Sequence, residues 1–363
     1  MTIIVQILRF AVAGLFIFSG LIKINDPVGT AIKLEEYFEI FAVDFASFFH
    51  FFIPFALPLA VLLCVAEVVL GVALLVGFWS RLTVWKLLGI IVFFTALTFY
   101  SAYFNKVTDC GCFGDAIKMT PWQSFGKDVA LFFMIIVLAI FQKKLPQQNT
   151  RLALISTSLS LVLAFFIAIY AIRHEPPIDF RAYKVGNHIP SLRKSSVSCQ
   201  YVYVMEKDGK QEEFSVYPTD TTYKFKSSYV ANAEECKPKI TDYSLWNDDG
   251  DFTEESLKGN KLVVIVKKVQ EDQKENFQKI NQLLASVKTA DKVVFTAVGG
   301  EQFEEFRHKM QLAAPYYFAD LVLLKTIIRA DPAILLLQDG TVKGKWHYND
   351  LPEATQIDAL LKK

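Results

Sequence analysis

Net charge of either sign is what this chain most plainly lacks. Its 38 Lys and Arg stand against 37 Asp and Glu, a formal charge of +1. Without a basic surplus there is no electrostatic footprint for a nucleic-acid partner. Cysteine is scarce too: five residues in the whole chain, at 64, 110, 112, 199 and 236. Everything beyond residue 236 is therefore barred from dithiol chemistry and from cysteine-based metal binding. No spacing elsewhere reads as a metal site, so no metal is expected. There is also no internal repeat and no low-complexity tract, which excludes repeat architectures.

What the chain has is apolar residues, 53% of the total, above the roughly 45–50% of ordinary globular proteins. They are unevenly spread. Residues 1–172 are dominated by Leu, Ile, Val, Phe and Ala, whereas residues 173–363 are mixed and charged. A membrane-spanning helix needs about 20 mostly apolar residues. Five stretches qualify: Ile3–Lys23, Pro54–Phe78, Thr83–Phe104, Phe125–Phe141 and Leu152–Ile172. The first continues into a Lys23–Pro27 loop without a small-residue cleavage pattern, so an uncleaved helix is expected. Between the first two spans, apolar Ile32, Tyr37, Phe38, Phe41 and Phe45 alternate with Lys33, Glu35, Glu36 and Asp44. That pattern suits an amphipathic segment at the interface, or a packed loop helix without lipid contact.

Lys143, Lys144 and Arg151 crowd the link between spans four and five, and Arg81 and Lys86 mark the link between two and three. Lys23, Lys33, Lys106, Lys118 and Lys127 lie on the other side, so the density around Lys143 decides the orientation. By the positive-inside rule the N-terminus is cytoplasmic, and residues 105–124 and everything after Arg173 lie outside. In a bacterial inner membrane that outer side is the periplasm, where disulfides persist.

Thr120, Pro121 and Gln123 form a capping-box start for the fourth span, with Trp122 as an interfacial aromatic. Residues 173–237 read as a β-rich connecting segment, with Lys207-Asp208-Gly209 turning a hairpin between Tyr201–Met205 and Glu213–Tyr217. From 238 the periods alternate. Leu262–Val266 and Val293–Val298 read as strands, Glu271–Val287 and Glu301–Met310 as helices. Ala333–Leu337 and Val342–Trp346 form a hairpin, and Pro352–Leu361 closes the chain as a helix. This is the order of an α/β thioredoxin-like domain. The expected architecture is thus a membrane all-α bundle over 1–142, a cytoplasmic loop and fifth span over 143–172, the β-rich segment over 173–237, and the α/β domain over 238–363.

Three features carry chemistry. In Asp109-Cys110-Gly111-Cys112-Phe113-Gly114-Asp115 two cysteines one residue apart can close a small, strained and hence labile disulfide. Two unpaired loop thiols or a metal contact are the bland alternatives. Glu67, near the centre of the second span, costs at least about 2.5 kcal/mol at that depth unless it faces the bundle interior or a partner. It is either a proton relay or ligand contact, or a neutral group bonding helices together. Arg9 is its candidate partner, unless Arg9 snorkels to the surface. Cys64, one turn from Glu67, reads as packing. Cys199 and Cys236 suit one structural disulfide.

Phe18-Ser19-Gly20-Leu21-Ile22-Lys23 followed by Asp26-Pro27 resembles the first helix of the DoxX family. Glu67 with Gly71 and residues 74–77 resembles its second helix. Asp109–Asp115, then Pro121-Trp122 and Asp128, resembles the related MauE family, and together the likeness covers residues 1–142. The resemblance implies that Cys110 and Cys112 are a redox pair serving disulfide formation in a periplasmic thiol protein, with a quinone as the electron acceptor. Such quinone-linked proteins usually carry a second cysteine pair, which this bundle lacks. Residues 238–346 resemble the TlpA branch of thioredoxin-like proteins in Ile240–Leu245, Asp249-Gly250, Leu257-Lys258-Gly259, Asp331-Pro332-Ala333 and Asp339-Gly340. Pro332 matches that family's proline loop. Where the family places Cys-x-x-Cys, this chain has Lys267-Lys268-Val269-Gln270. The expected function is a membrane thiol–disulfide oxidoreductase. The competing expectations are a non-enzymatic scaffold with a redox-dead docking domain, and a bundle that handles a small molecule or metal.

Overall fold

The computed structural model describes residues 2–107, 114–148, 150–195 and 197–362. The chain falls into two compact units, Met1–Arg181 and Ala182–Lys363.

The first unit is helical: α1 (Thr2–Asn25), α2 (Pro27–Asp44), a 3-10 stretch Ser47–Phe55, α3 (Ala56–Val76), α4 (Ser80–Phe104), α5 (Pro121–Ile140) and α6 (Arg151–Arg173). Among the described residues, five segments are long and apolar enough to span a bilayer: α1, the 3-10 stretch continued by α3, α4, α5 and α6. This is a membrane protein. Its outward face carries bare apolar side chains such as Leu62, Phe133, Leu152 and Phe166, which lipid solvates without penalty. Within lipid, helices associate by close packing rather than by the hydrophobic effect. α1 and α3 run antiparallel and show this directly. A methyl group on Gly20 would lie 2.7 Å from Val68 Cγ2, and one on Gly71 would lie 2.8 Å from Ile17 Cγ1. Val12, Phe16, Leu74, Leu87, Ile91 and Ile135 fill the centre of the bundle. Ala164 and Ala168 let α6 pack on the Cys64–Val68 turn of α3.

Helix starts follow local chemistry. Asp26 caps α2 by accepting from Gly29 N–H at 2.8 Å, with Pro27 in the first turn. Thr120 and Gln123 exchange reciprocal hydrogen bonds at the start of α5, the capping box that the sequence predicts. Asn25 exchanges two hydrogen bonds with the backbone of Ile178, so the chain leaving α6 returns to the end of α1.

The second unit opens with a single turn, α7 (Ile189–Leu192), then an antiparallel sheet of β1 (Tyr201–Lys207), β2 (Lys210–Phe214) and β3 (Lys224–Val230) in the order β2-β1-β3. Asp208 and Gly209 both have positive φ, 52° and 75°, as a two-residue hairpin requires. The second strand therefore begins three residues before the expected Glu213. A short turn, α8 (Ala233–Cys236), ends this part.

A seven-stranded sheet follows. It is made of β4 (Leu245–Asn247), β5 (Gly250–Asp251), β6 (Asn260–Val266), β7 (Asp291–Thr296), β8 (Tyr316–Ala319), β9 (Ala333–Gln338) and β10 (Thr341–His347). Helices α9 (Lys274–Ser286), α10 (Gly300–Lys309), α11 (Leu321–Ile327) and α12 (Ala354–Leu361) join or follow them. The order is β10-β9-β6-β7-β8-β4-β5. β6, β7 and β8 are parallel, and β9 runs antiparallel to β6. β6 sits centrally, so both of its faces are apolar. Val263 and Ile265 join one core with Tyr183, Ile189 and Phe295. Leu262 and Val264 join the other with Phe277, Phe303 and Ile357. Residues 182–192 belong to this unit: Ile189 N–H donates to Gly340 O at 2.9 Å, and Gly186 N–H to Val342 O at 2.8 Å. The expected helix from Glu271 starts three residues later, after a 3-10 turn. β8 and α11 have no counterpart in the periodicity, because four and seven residues are too short for a period to register.

A disulfide joins Cys199 and Cys236, with Cα atoms 5.0 Å apart across a sequence separation of 37. It closes the loop that holds the three-stranded sheet. Closing a loop of that length stabilises by about 4 kcal/mol on the chain-entropy argument. The double substitution Cys199→Ser/Cys236→Ser should therefore speed amide exchange throughout β1–β3 while leaving β6 and β9 protected. Equal exchange with and without the bridge would show that it contributes nothing to the small sheet.

Candidate functional site

Cys110 and Cys112 lie outside the described residues, but the chain on either side is fixed to the bundle. On the near side, α4 ends at Phe104 and Asn105 takes a left-handed φ of 51°. Lys106 Nζ and the Tyr100 hydroxyl both donate to the Asp44 carboxylate at the end of α2. Val107 is buried against Tyr37, Leu97 and Tyr100, and its carbonyl accepts from Ser101 Oγ at 2.5 Å. On the far side, a methyl group on Gly114 would lie 3.8 Å from Ile22 Cγ2, near the end of α1. Both flanks thus meet the bundle at the C-terminal ends of α1 and α4. The segment after α6 is tied to that same end through Asn25.

One residue beyond Ile22 stands the main electrostatic feature of the bundle. Lys23 Nζ donates to Glu67 Oε1 at 2.6 Å, with the two side chains only 6% and 2% exposed. The ammonium also lies 4.3 Å from the centre of the Phe94 ring, a cation–π geometry. Glu67 Oε2 is buried and has no hydrogen-bond partner among the described residues. Beside this pair, α5 contributes a second one. Asp128 Oδ1 accepts from Lys127 Nζ at 2.6 Å, and its Oδ2 from Thr98 Oγ1 at 3.0 Å. Asp128 is fully buried, whereas the Lys127 side chain is 21% exposed. Between the pairs lies a cavity of about 20 Å³, lined by Ser19, Lys23, Glu67, Phe94, Lys127 and Asp128 among others. That is room for about one water molecule. Cys64, a turn before Glu67, is buried with Sγ 4.0 Å from Thr30 Oγ1.

The arrangement corrects one expectation. Arg9 does not meet Glu67. Its Nη1 donates to Gln6 Oε1 at 2.6 Å and its Nη2 to Leu75 O at 2.8 Å, so it ties α1 to the opposite end of α3. Antiparallel packing explains this: Arg9 faces residue 75, and only Lys23, two turns beyond Phe16, reaches the level of residue 67. In the sequence Lys23 counts only among the lysines that set the orientation, because it ends an apolar run. What identifies it is the packing of Gly20 against Val68 and of Gly71 against Ile17, which sets the helix register and is not written in the sequence.

In the second unit the Asp331–Pro332 peptide is cis. It stands at the start of β9, next to the end of β6. The Asp331 carboxylate accepts from the N–H groups of Lys267 and Lys268 at 2.9 and 3.1 Å. Lys267 Nζ donates to the carbonyls of Arg329 and Ala330 at 2.9 and 2.7 Å. Burial pushes the Asp331 carboxyl above the usual carboxylate range, with the Lys267 charge pulling the other way. Among the described residues no group of three or more His, Cys, Asp or Glu is placed to hold a metal.

Removing one partner of a buried ion pair leaves a bare charge and costs about 3–5 kcal/mol, whereas replacing both by apolar residues is near neutral. Lys23→Met should accordingly lower the thermal unfolding temperature of the purified protein sharply, and Lys23→Met/Glu67→Met should recover most of the loss. Additive losses in the double variant would show that the two groups do not stabilise each other.

Two family profiles match the chain. One, described as a domain of unknown function, covers residues 199–231, which hold the three-stranded sheet. Protein TlpB of Flavobacterium psychrophilum is 24% identical over 165 residues, 44% of this chain; the chain spans 43% of that protein's length. No solved structure matches. The other profile, described as methylamine utilisation protein MauE, covers residues 1–141, the stretch that carries the charge cluster and the Cys-Gly-Cys loop, and the membrane segment is MauE-like.

Proposed function

We propose that this protein is a membrane thiol–disulfide oxidoreductase, with Cys110 and Cys112 as the redox pair. The observation that carries this reading is the anchoring of the chain on both sides of the Cys110-Gly111-Cys112 stretch. Lys106 and Val107 are pinned on one side and Gly114 is laid over α1 on the other, at the bundle end where the buried charge cluster lies. A cysteine pair borne between two fixed flanks can meet a partner in water while remaining tied to the bundle. Exchange runs by thiolate attack on a partner disulfide, or the reverse, through a mixed disulfide. The pair is then restored by a membrane oxidant, for which a quinone fits the location.

The orientation follows the Lys143–Arg151 cluster, with the N-terminus in the cytoplasm and both the cysteine loop and the second unit in the periplasm. The second unit is a thioredoxin-like domain that docks the partner without exchanging disulfides. Its support is the order β7-β6-β9-β10, with β6 and β7 parallel and Pro332 opposite the end of β6. At that strand end stand Lys267 and Lys268, which cannot act as thiol nucleophiles.

Alkylation trapping of the full chain in cells should find Cys110 and Cys112 in both oxidised and reduced pools. Cys112→Ser should accumulate a mixed disulfide through Cys110. A pair that stays fully reduced in an oxidising envelope would overturn the redox reading. Separately, a reporter active only after export, fused behind Lys363, should be active; activity of a cytoplasm-only reporter there would invert the orientation.

A further inference from the structure

We propose that the two buried ion pairs, Lys23–Glu67 and Lys127–Asp128, form a proton relay across the bundle end, with Asp128 as its entry carboxylate and Glu67 as its inner one. The inference rests on the redox reading, because it assigns a route for the protons of that reaction. Restoring the Cys110–Cys112 disulfide breaks two S–H bonds, forms one S–S bond and releases two electrons and two protons. A quinone takes up both and becomes a quinol. Electrons and protons must therefore move together in a region where free charge is expensive.

The geometry supplies a stepwise path. Lys127 is the partly exposed member and holds Asp128 Oδ1 at 2.6 Å. Thr98 fixes the other oxygen of Asp128, leaving the carboxylate oriented. Asp128 and Glu67 both line the cavity of about 20 Å³, which has room for about one water molecule to carry a proton between them. Glu67 has one oxygen committed to Lys23 at 2.6 Å, and its buried Oε2 is left as an acceptor among the described residues. A single proton shift along the Lys23–Glu67 bond turns the ion pair into a neutral amine and carboxyl. When Asp128 takes up a proton released at the thiols and Glu67 passes one on to the quinone, the formal charges of the two pairs still cancel, so no lone charge stays in the membrane. A pair kept only for packing would need neither the second pair nor the shared cavity.

Few other groups bear on Glu67. Cys64 lies on its own helix, with Asp26 beyond it at the start of α2. α4 presents the uncharged Phe94 and Thr98, and α6 carries no charge between Arg151 and Arg173.

The test uses the full chain in lipid nanodiscs with a short-chain soluble quinone. Glu67→Gln and Asp128→Asn should each slow quinone-driven reoxidation of the cysteine pair by about 100-fold, the scale of a lost proton-transfer group. Asp128→Glu should restore part of the rate. Infrared difference spectra should show a protonated-carboxyl band that shifts in D₂O and is lost in Glu67→Gln. Lys23→Met/Glu67→Met serves where a single variant fails to fold, and should lose both the band and the rate. Unchanged reoxidation in these variants while the cysteines still cycle overturns the relay and leaves the redox reading intact. If the cysteines never cycle, the redox reading fails, and a resting protein without a carboxyl band that titrates with pH overturns the relay as well.

Discussion

The Lys23–Glu67 ion pair is the constraint around which the bundle is organised. A carboxylate in the middle of α3 is tolerable in hydrocarbon only if a cation reaches it, and the cation must come from a neighbouring helix at the same depth. This fixes the register of α1 against α3. Glycines at 20 and 71 then remove the side chains that would hold the two backbones apart. Arg9, locked to the Leu75 carbonyl, secures the same register from the other end. Phe94 brings α4 to the Lys23 ammonium. Thr98 and Asp128 join α4 to α5 in the same layer. One layer of polar contacts thus involves four of the helices, while the apolar contacts around it are less particular about register.

That layer also explains the placement of the loops. Asn25 follows Lys23 by two residues and binds the backbone of Ile178, so the chain leaves the membrane domain beside the charge cluster. The Asp44 carboxylate gathers Tyr100 and Lys106, which brings the end of α2 to the end of α4. The bundle is therefore asymmetric along its axis. One end gathers ion pairs, caps and chain crossings. The other is simpler, closed by the tight turn at Gly77 and the Ser80 hydroxyl bond to Pro146 O at 2.6 Å.

Much of this was legible in the sequence. Five apolar runs give five spanning-capable helices, because length and composition alone decide that question in a bilayer. The capping box at Thr120 and the hairpin at Asp208-Gly209 are local, and local chemistry is readable. Glu67 stood out because a lone carboxylate in an apolar run has few innocent explanations. Its partner was not readable. Arg9 and Lys23 lie on the same helix, and choosing between them requires the antiparallel register, which only packing reveals. Asp128 was noticed as part of a motif, but its companion Lys127 and the cavity shared with Glu67 are tertiary facts. In the second unit the central strand β6 was plain from its apolar run. β8 and α11 were not, since short elements take their conformation from the sheet they join.

The lysine at the end of β6 restricts what else can stand there. Its ammonium holds the Arg329 and Ala330 carbonyls, and the neighbouring amides hold the Asp331 carboxylate. Placing a thiol at position 267 would strip two carbonyls of their charged donor and leave Asp331 buried beside a weaker partner. Each unsatisfied buried group costs about 1–3 kcal/mol. Any substitution of Lys267 is therefore uphill, and the loop at Asp331-Pro332 would have to be rebuilt with it. A single side chain in this way holds a strand end and the loop before the next strand as one unit.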